Sequence, residues 1–219
     1  MATIEYDSPK ATYFSVLADG KFHTTVPEGT EGAVRRDYET SDKKTGVKFE
    51  RLAQSITGII ESLSIFEGDF GKNVILEFKT SEGVEPIIIS LSSQSSYAED
   101  FLKKLPNIDT AKEIELVPYA FEADGKKKKG LTVYQDGKKI SGAYHEQNPE
   151  TKQFVTVKGY PAVPDDRTGW DKEDWKIYFA QARKFLLGEL QKHPLFNSKT
   201  EILSPHDYPA DEVEEVTAF

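Results

Sequence analysis

The stretch from Phe49 to Leu91 constrains the fold more than any other part of the chain. Apolar and β-branched residues alternate with polar ones through it, and glycine-containing turns interrupt the alternation at residues 68–71 and 81–83. This pattern predicts three consecutive antiparallel strands joined by two turns. We expect the rest of the chain to pack around this meander.

The alternation changes phase within the first of these strands. Leu52 and Ile56 share one face, whereas beyond Gly58 the apolar residues that share a face are Ile59, Leu63 and Ile65. One inserted residue turns every later side chain to the opposite face of a strand, so the phase change predicts a β-bulge at Gly58. A long first strand that bends at a glycine is typical of a small closed barrel.

A helix and then two further strands are predicted after the meander. Residues 96–106 combine a capping-box spacing, Ser96 with Glu99, with a final proline that ends the helix. Strand patterns resume at residues 113–121 and 131–134, separated by an Asp-Gly turn and by four lysines expected to form a basic loop. Five strands with a helix between strands 3 and 4 have the order of an OB-fold. The predicted fold is therefore mainly β, a five-stranded Greek-key barrel of this type.

Segments on both sides are expected to extend this barrel. Residues 13–17 predict one short strand, and residues 21–46 predict a long N-terminal loop region because they are rich in glycine and polar residues. A C-terminal helix is expected at about residues 171–191, where an N-capping aspartate precedes an aromatic stripe that faces the barrel. Residues 1–200 are interpreted as a single domain and residues 201–219 as a flexible acidic tail.

Net charge and cysteine content limit the classes of function. The chain has a net charge of −9 and no cysteine, which excludes disulfides, thiolate metal sites and thiol nucleophiles. Six of the acidic residues lie in residues 201–219, which contain no lysine or arginine, so the body is nearly balanced and can hold a basic groove. Because no long apolar run or signal segment is visible, we expect a cytoplasmic protein without a membrane partner.

The sequence offers little for catalysis. Its four histidines are far apart and lack the spacing of metal ligands, and neither a P-loop nor a G-x-S-x-G motif is present. The acidic pairs Asp165-Asp166 and Asp171 with Asp174 could hold magnesium, which keeps a metal-dependent nuclease as an alternative. The expectation is a protein that is not an enzyme and that uses no metal and no organic cofactor.

Aromatic residues lie beside basic ones where an OB-fold presents its ligand, on the middle strands and on the loops joining strands 1 to 2 and 4 to 5. Single-stranded nucleic acid requires cations along its phosphates and aromatic rings on which its bases stack. Phe66 is expected to point away from the core, beside Phe70 and Lys72, on one wall of a groove. The candidate DNA-binding residues are Arg35, Arg36, Tyr38, Lys48, Arg51, Phe66, Phe70, Lys72, Lys79, Tyr119, Phe121, Lys126, Lys127, Lys128, Lys129 and Tyr134.

The end of the chain carries a second signal. The acidic segment closes on a phenylalanine whose ring lies next to the terminal carboxylate of the sequence. This combination offers a partner both an apolar group to bury and a carboxylate to bind. The candidate partner-binding residues are Asp211, Glu212, Glu214, Glu215 and Phe219.

These features together resemble the single-stranded DNA-binding proteins of bacteriophage replication systems, with an OB-fold body and an acidic tail ending in Phe. The likeness covers the meander, the following helix with L-P-N-I-D after it, the V-P-Y-x-F strand and the tail. The helix at 171–191 and the loop at 21–46 lie outside it. The resemblance implies a non-catalytic protein that coats single-stranded DNA without sequence preference during replication, recombination or repair. It would act in the host cytoplasm, and its tail would recruit a polymerase, helicase or primase.

A second hypothesis stays open, that of a protein-binding OB-fold adaptor. In that case the acidic tail is the main contact and the lysines are solvated. A lysine run on a hairpin most often discourages edge pairing, and aromatic residues in strands usually pack against neighbours. Self-association is compatible with either hypothesis.

Overall fold

The computed structural model describes residues 11–39, 43–68, 71–79, 85–148, 150, 154–163 and 168–197. The strands are β1 (Thr12–Val16), β2 (Phe22–Val26), β3 (Val34–Glu39), β4 (Thr45–Ala53), β5 (Ile56–Gly58), β6 (Ile60–Gly68), β7 (Gly71–Phe78), β8 (Ile87–Ser92), β9 (Ile114–Ala123), β10 (Lys126–Gln135), β11 (Lys138–Lys139), β12 (His145–Gln147) and β13 (Phe154–Thr156). The helices are α1 (Ser96–Lys104), a 3₁₀ turn (Leu105–Asn107) and α2 (Lys172–Leu190). The structure is therefore mainly β.

Strand pairing organises these elements into three sheets. The largest is a seven-stranded mixed sheet in the order β3-β4-β2-β1-β8-β7-β6. A four-stranded sheet follows the order β11-β10-β9-β5, and β12 pairs with β13. Residues 45–68 connect the two larger sheets, since β4 pairs with β2 and β3, β5 with β9, and β6 with β7.

The predicted meander is present as β6, β7 and β8, paired antiparallel in that order. Its alternation places Leu63, Val74 and Leu76 completely inside the core. The register between β6 and β7 shifts between Ile60 and Ser62, so the predicted bulge exists but lies after Gly58.

The predicted core face of the first strand is wrong at its beginning. Leu52 is exposed, whereas Ile56 is buried; beyond Gly58, Ile60 is buried and the predicted Ile59 only partly so. The strand breaks at residues 54–55, between β4 and β5, and this break changes the phase once more. Leu52 therefore lies on the outer face, opposite His23 of β2.

The predicted order of three strands, a helix and two strands is present in β6, β7, β8, α1, β9 and β10. These strands do not close into the predicted five-stranded barrel within the described part of the chain, because β8 pairs with β1 instead of β10. The edge of β10 faces α1, where the Asp100 carboxylate accepts a hydrogen bond from the Leu131 N–H and the Lys104 ammonium donates to the Leu131 carbonyl. Helix side chains thus bind backbone groups that a further strand would otherwise use.

The segment predicted as a long loop, residues 21–46, instead contains β2, β3 and the start of β4. Phe22 is fully buried and anchors β2 in the core. The sequence of β3, V-R-R-D-Y-E, is mostly charged and lacks the apolar alternation that marks a strand, although Arg36 and Tyr38 on one face are partly buried. Pairing with β4 decides its conformation.

Both predicted α-helices are present, and the 3₁₀ turn adds a third helical segment. Helix α1 is capped by Ser95, whose hydroxyl accepts from the Ala98 N–H at 3.2 Å, so the predicted capping box at Ser96 is wrong. Asp171 caps α2 as predicted and forms a capping box with Asp174. Among the described residues, neither helix combines the length and the apolar character that crossing a bilayer requires.

Candidate nucleic-acid interface

The turn between β9 and β10 brings the lysine run into a strand. Asp124 and Gly125 have φ angles of 55° and 69°. Two successive positive φ angles are typical of a type I′ turn, whose twist matches that of the flanking strands. Pairing therefore begins at once with Lys126 opposite Ala123, and the predicted basic loop is wrong.

The lysines divide between the two faces of this hairpin, because side chains alternate along a strand. Lys126 and Lys128 lie on one face, and Lys127 and Lys129 lie on the other. Lys128 is directly opposite Phe121 across the β9–β10 pair. Two of the four predicted lysines therefore share a face with the aromatic residues.

The shared face carries two aromatic rings in contact. The ring centroids of Tyr119 and Phe121 are 5.7 Å apart, and the rings are tilted by 35°. Phe121 is 53% exposed, and no other Phe, Tyr or Trp side chain that the structure describes is exposed to this degree. Lys126 and Lys128 are exposed and have no ion-pair partner among the described residues. We call Tyr119, Phe121, Lys126 and Lys128 the aromatic–lysine platform.

Tyr119 is held in place from three sides. Its cross-strand partner is Gly130, and a Cβ atom at that position would overlap the Tyr119 ring and the Asp100 carboxylate. The Tyr119 hydroxyl is hydrogen-bonded to Asp100, and burial followed by the negative charge of Asp100 raises the pKa of Tyr119. Behind β9, the turn at Gly20 packs against the backbone of Tyr119 and Ala120.

The platform continues along β10 toward Tyr134. Thr132 and Tyr134 lie on the same face as Lys128, and the distance along the strand from Lys126 to Tyr134 is about 26 Å at the usual rise per residue. Tyr134 is partly buried and pairs across the sheet with Glu115 and Lys139. This end of the face is thus less aromatic and less basic than the hairpin tip.

The β3–β4 hairpin brings a second predicted group together. Arg36 pairs with Lys48 and Tyr38 with Gly46, so the three predicted residues share one face. The Tyr38 ring lies over Gly46, where a Cβ atom would overlap it.

The cations of this hairpin form ion pairs with a buried carboxylate. Glu50 is 3% exposed and lies 2.7 Å from the Lys48 ammonium, 3.6 Å from the Arg36 guanidinium and 2.9 Å from His23 Nδ1. Burial by itself would raise the pKa of Glu50, but hydrogen bonds and charges from Lys48 and His23 outweigh it and lower the pKa. Lys48 and Arg36 are therefore paired with Glu50 inside the protein.

Two further arginines lie on the opposite face of the β3–β4 hairpin. Arg35 forms an ion pair with Asp37 at 2.8 Å, with both side chains well exposed. Arg51 is exposed and pairs across the sheet with Thr24. Neither shares a face with Tyr38.

The predicted groove wall around Phe66 is not formed as expected. Phe66 is partly buried with its ring against Gly68, and its cross-strand partner is Asn73. Lys72 therefore lies on the other face, within 3.4 Å of Glu67.

The remaining predicted residues are separate from these groups. Lys79 is exposed just beyond the opposite end of β7 from Lys72. Phe70 and the five predicted residues of the tail lie outside the described residues.

One of the two acidic pairs considered for magnesium lies within the described residues. Asp171 and Asp174 bind backbone N–H groups at the start of α2. Asp165-Asp166 lies outside the described residues. Within the residues that the structure describes, no group of three or more His, Asp or Glu side chains is placed to hold a metal ion.

Two residues of the platform's support were missed by the sequence analysis. Gly130 had a detectable signal, since a glycine inside a strand pattern often marks the close approach of another group. Asp100 had none, because its position on α1 resembles any exposed acidic residue of an amphipathic helix.

Comparisons of this chain with protein-family models, with curated proteins and with solved structures found no match in any of the three.

Proposed function

We propose that this chain is a non-catalytic, OB-type single-stranded DNA-binding protein whose main contact is the aromatic–lysine platform. The observation that carries the proposal is the exposed Phe121 ring, in contact with Tyr119 and opposite Lys128, which has no ion-pair partner among the described residues. Stacking contributes ~1–3 kcal/mol per base, and lysines near phosphates release counterions. Both requirements of a single-strand site meet on one face.

The division of roles follows from the side chains. The two rings stack on bases, which makes binding tolerant of sequence because every base has a π-face. Lys126 and Lys128 contact phosphates. The protein then coats single strands during replication, recombination or repair, and residues 211–219 recruit a polymerase, helicase or primase through their acidic groups and Phe219.

The test compares two neighbouring lysines by titration of a fluorescently labelled oligo-dT. Lys128→Ala removes a charge from the platform, and Lys127→Ala removes the same charge from the opposite face. We expect Lys128→Ala to weaken binding several-fold and to reduce the slope of log K against log salt by about 0.7. The dissociation constant of Lys127→Ala for oligo-dT should stay within about twofold of the wild-type value, a change of less than about 0.5 kcal/mol.

Each other outcome has a distinct meaning. Equal losses from both variants would assign binding to net charge and contradict the platform. Absence of oligo-dT binding by the wild type at low salt would overturn the function itself and favour the protein-binding adaptor. The exposed Ile177 on α2 would then be the apolar contact to examine first.

A further inference from the structure

Helix α1 presents a polar stripe to the elements that carry the platform. Tyr97, Asp100 and Lys104 are spaced three and four residues apart, which places them on one side of the helix. The Tyr97 hydroxyl donates to the Leu17 carbonyl at 3.0 Å, in the β1–β2 turn. Asp100 and Lys104 bind the N–H and the carbonyl of Leu131, in β10.

Asp100 is the member of this stripe that also reaches the platform. Its Oδ2 atom accepts from the Leu131 N–H at 3.0 Å, and its carboxylate is hydrogen-bonded to the Tyr119 hydroxyl. The ring of Tyr119 crosses Gly130 to reach it, and only a glycine leaves that path open. The carboxylate is further fixed by Lys104, whose ammonium lies 3.5 Å from it.

We propose that Asp100 is a positioning residue for DNA binding, which holds the Tyr119 ring flat across Gly130 so that it and Phe121 present one continuous stacking surface. The inference rests on the proposed function. It also predicts an effect of removing Asp100 on DNA affinity that is opposite in sign to the effect of charge alone. A carboxylate close to a polyanion site repels DNA, so on charge alone its removal should strengthen binding, whereas loss of the Tyr119 anchor should weaken it.

A double-mutant cycle with Asp100→Ala and Tyr119→Phe tests the role by oligo-dT titration. Each single variant should weaken binding about fivefold, within the range of measured couplings between neighbouring groups, and the double variant should be no weaker than either. Tyr119→Phe keeps the Asp100–Leu131 hydrogen bond, so it remains informative if Asp100→Ala destabilises the fold. Asp100→Asn retains an acceptor and should recover most of the affinity. Tighter binding by Asp100→Ala, or additive losses in the cycle, would overturn the proposal.

A second readout needs no DNA and separates the two proposals. The Gly130 Hα that points in the direction of a Cβ atom lies close to the hydroxyl end of the Tyr119 ring, so the ring current should move the Gly130 Hα NMR signals away from ordinary glycine values. Both Asp100→Ala and Tyr119→Phe should move these signals toward ordinary glycine values. Unchanged signals would contradict the positioning role even if oligo-dT binds. If the wild type does not bind oligo-dT but shows these shifts, the proposed DNA-binding function is wrong, whereas the contact between Asp100 and Tyr119 stands.

Discussion

Two hairpins of this protein share one structural device and differ in what surrounds it. In the β3–β4 hairpin the Tyr38 ring lies over Gly46, and in the β9–β10 hairpin the Tyr119 ring lies over Gly130. In both pairs the glycine is the direct cross-strand partner of the tyrosine. An aromatic ring that covers a cross-strand glycine supplies the apolar contact that the glycine cannot make.

The hairpins differ in the state of their cations. Lys48 and Arg36 surround the buried Glu50, whereas Lys126 and Lys128 face solvent with no ion-pair partner among the described residues. Separating a buried pair leaves an uncompensated charge in a poorly solvated place, so the first group is structural. Exposed lysines without a carboxylate partner are available to contact phosphates. Aromatic and basic residues near each other in sequence therefore indicate a binding site only where no internal carboxylate occupies the cations.

The largest expected effect concerns Glu50. Glu50→Ala should lower the free energy of unfolding by about 3–5 kcal/mol, because it leaves Lys48 and its neighbours without their buried partner. The matched control is Glu67→Ala, which removes the exposed partner of Lys72 and should cost no more than about 1 kcal/mol. Urea denaturation measures both. A loss near that of the control would mean that the β3–β4 cations do not depend on Glu50.

The same carboxylate predicts a dependence of stability on pH. The pKa of Glu50 in the folded protein is below its ordinary value of 4.5, so its ionised form stabilises the fold above that pH. This contribution should be lost as the pH falls from about 4.5 through the lowered pKa. Denaturation between pH 7 and pH 3 should show a shallower decline for Glu50→Gln than for the wild type. Parallel declines would contradict the prediction.

Phe121→Ala and Tyr38→Ala compare the hairpins directly in DNA binding. Phe121→Ala should weaken oligo-dT binding about tenfold, since stacking on one base is worth ~1–3 kcal/mol. Tyr38→Ala should leave affinity nearly unchanged, because the cations around it are paired with Glu50. Ile177→Ala, which removes an equally exposed apolar side chain from α2, controls for nonspecific loss. Comparable losses from Phe121→Ala and Tyr38→Ala would show that both hairpins contact DNA.

The two glycines provide the finest comparison. Gly46→Ala and Gly130→Ala should each destabilise the fold by about 1–3 kcal/mol, because the added methyl group overlaps a tyrosine ring. Gly130→Ala should in addition weaken oligo-dT binding, since it displaces Tyr119 from the platform. Thermal unfolding and DNA titration of both variants check this. A loss of DNA affinity in Gly46→Ala alone would assign the site to the other hairpin.

Local patterns predicted most of the central elements. The meander, both α-helices, the cap at Asp171 and the β9–β10 hairpin were found because alternation, capping groups and an Asp-Gly turn are properties of near neighbours. The strand β3 was missed, since its charged residues have no apolar period and only its pairing with β4 holds it. The position of the bulge was wrong for the same kind of reason: the register of β6 against β7 decides it.

The sequence by itself determined that three consecutive strands form a meander, present as β6, β7 and β8, that a helix follows it, and that aromatic and basic residues lie near one another along the chain. Only the tertiary structure decided which of these residues act together. It separated Phe66 from Lys72, divided the lysines of β10 between two faces, placed Glu50 beneath Lys48, and brought Asp100 to Tyr119. The physical reason is that strand register and helix packing join residues distant in the chain, and no local pattern specifies the partner of a charge.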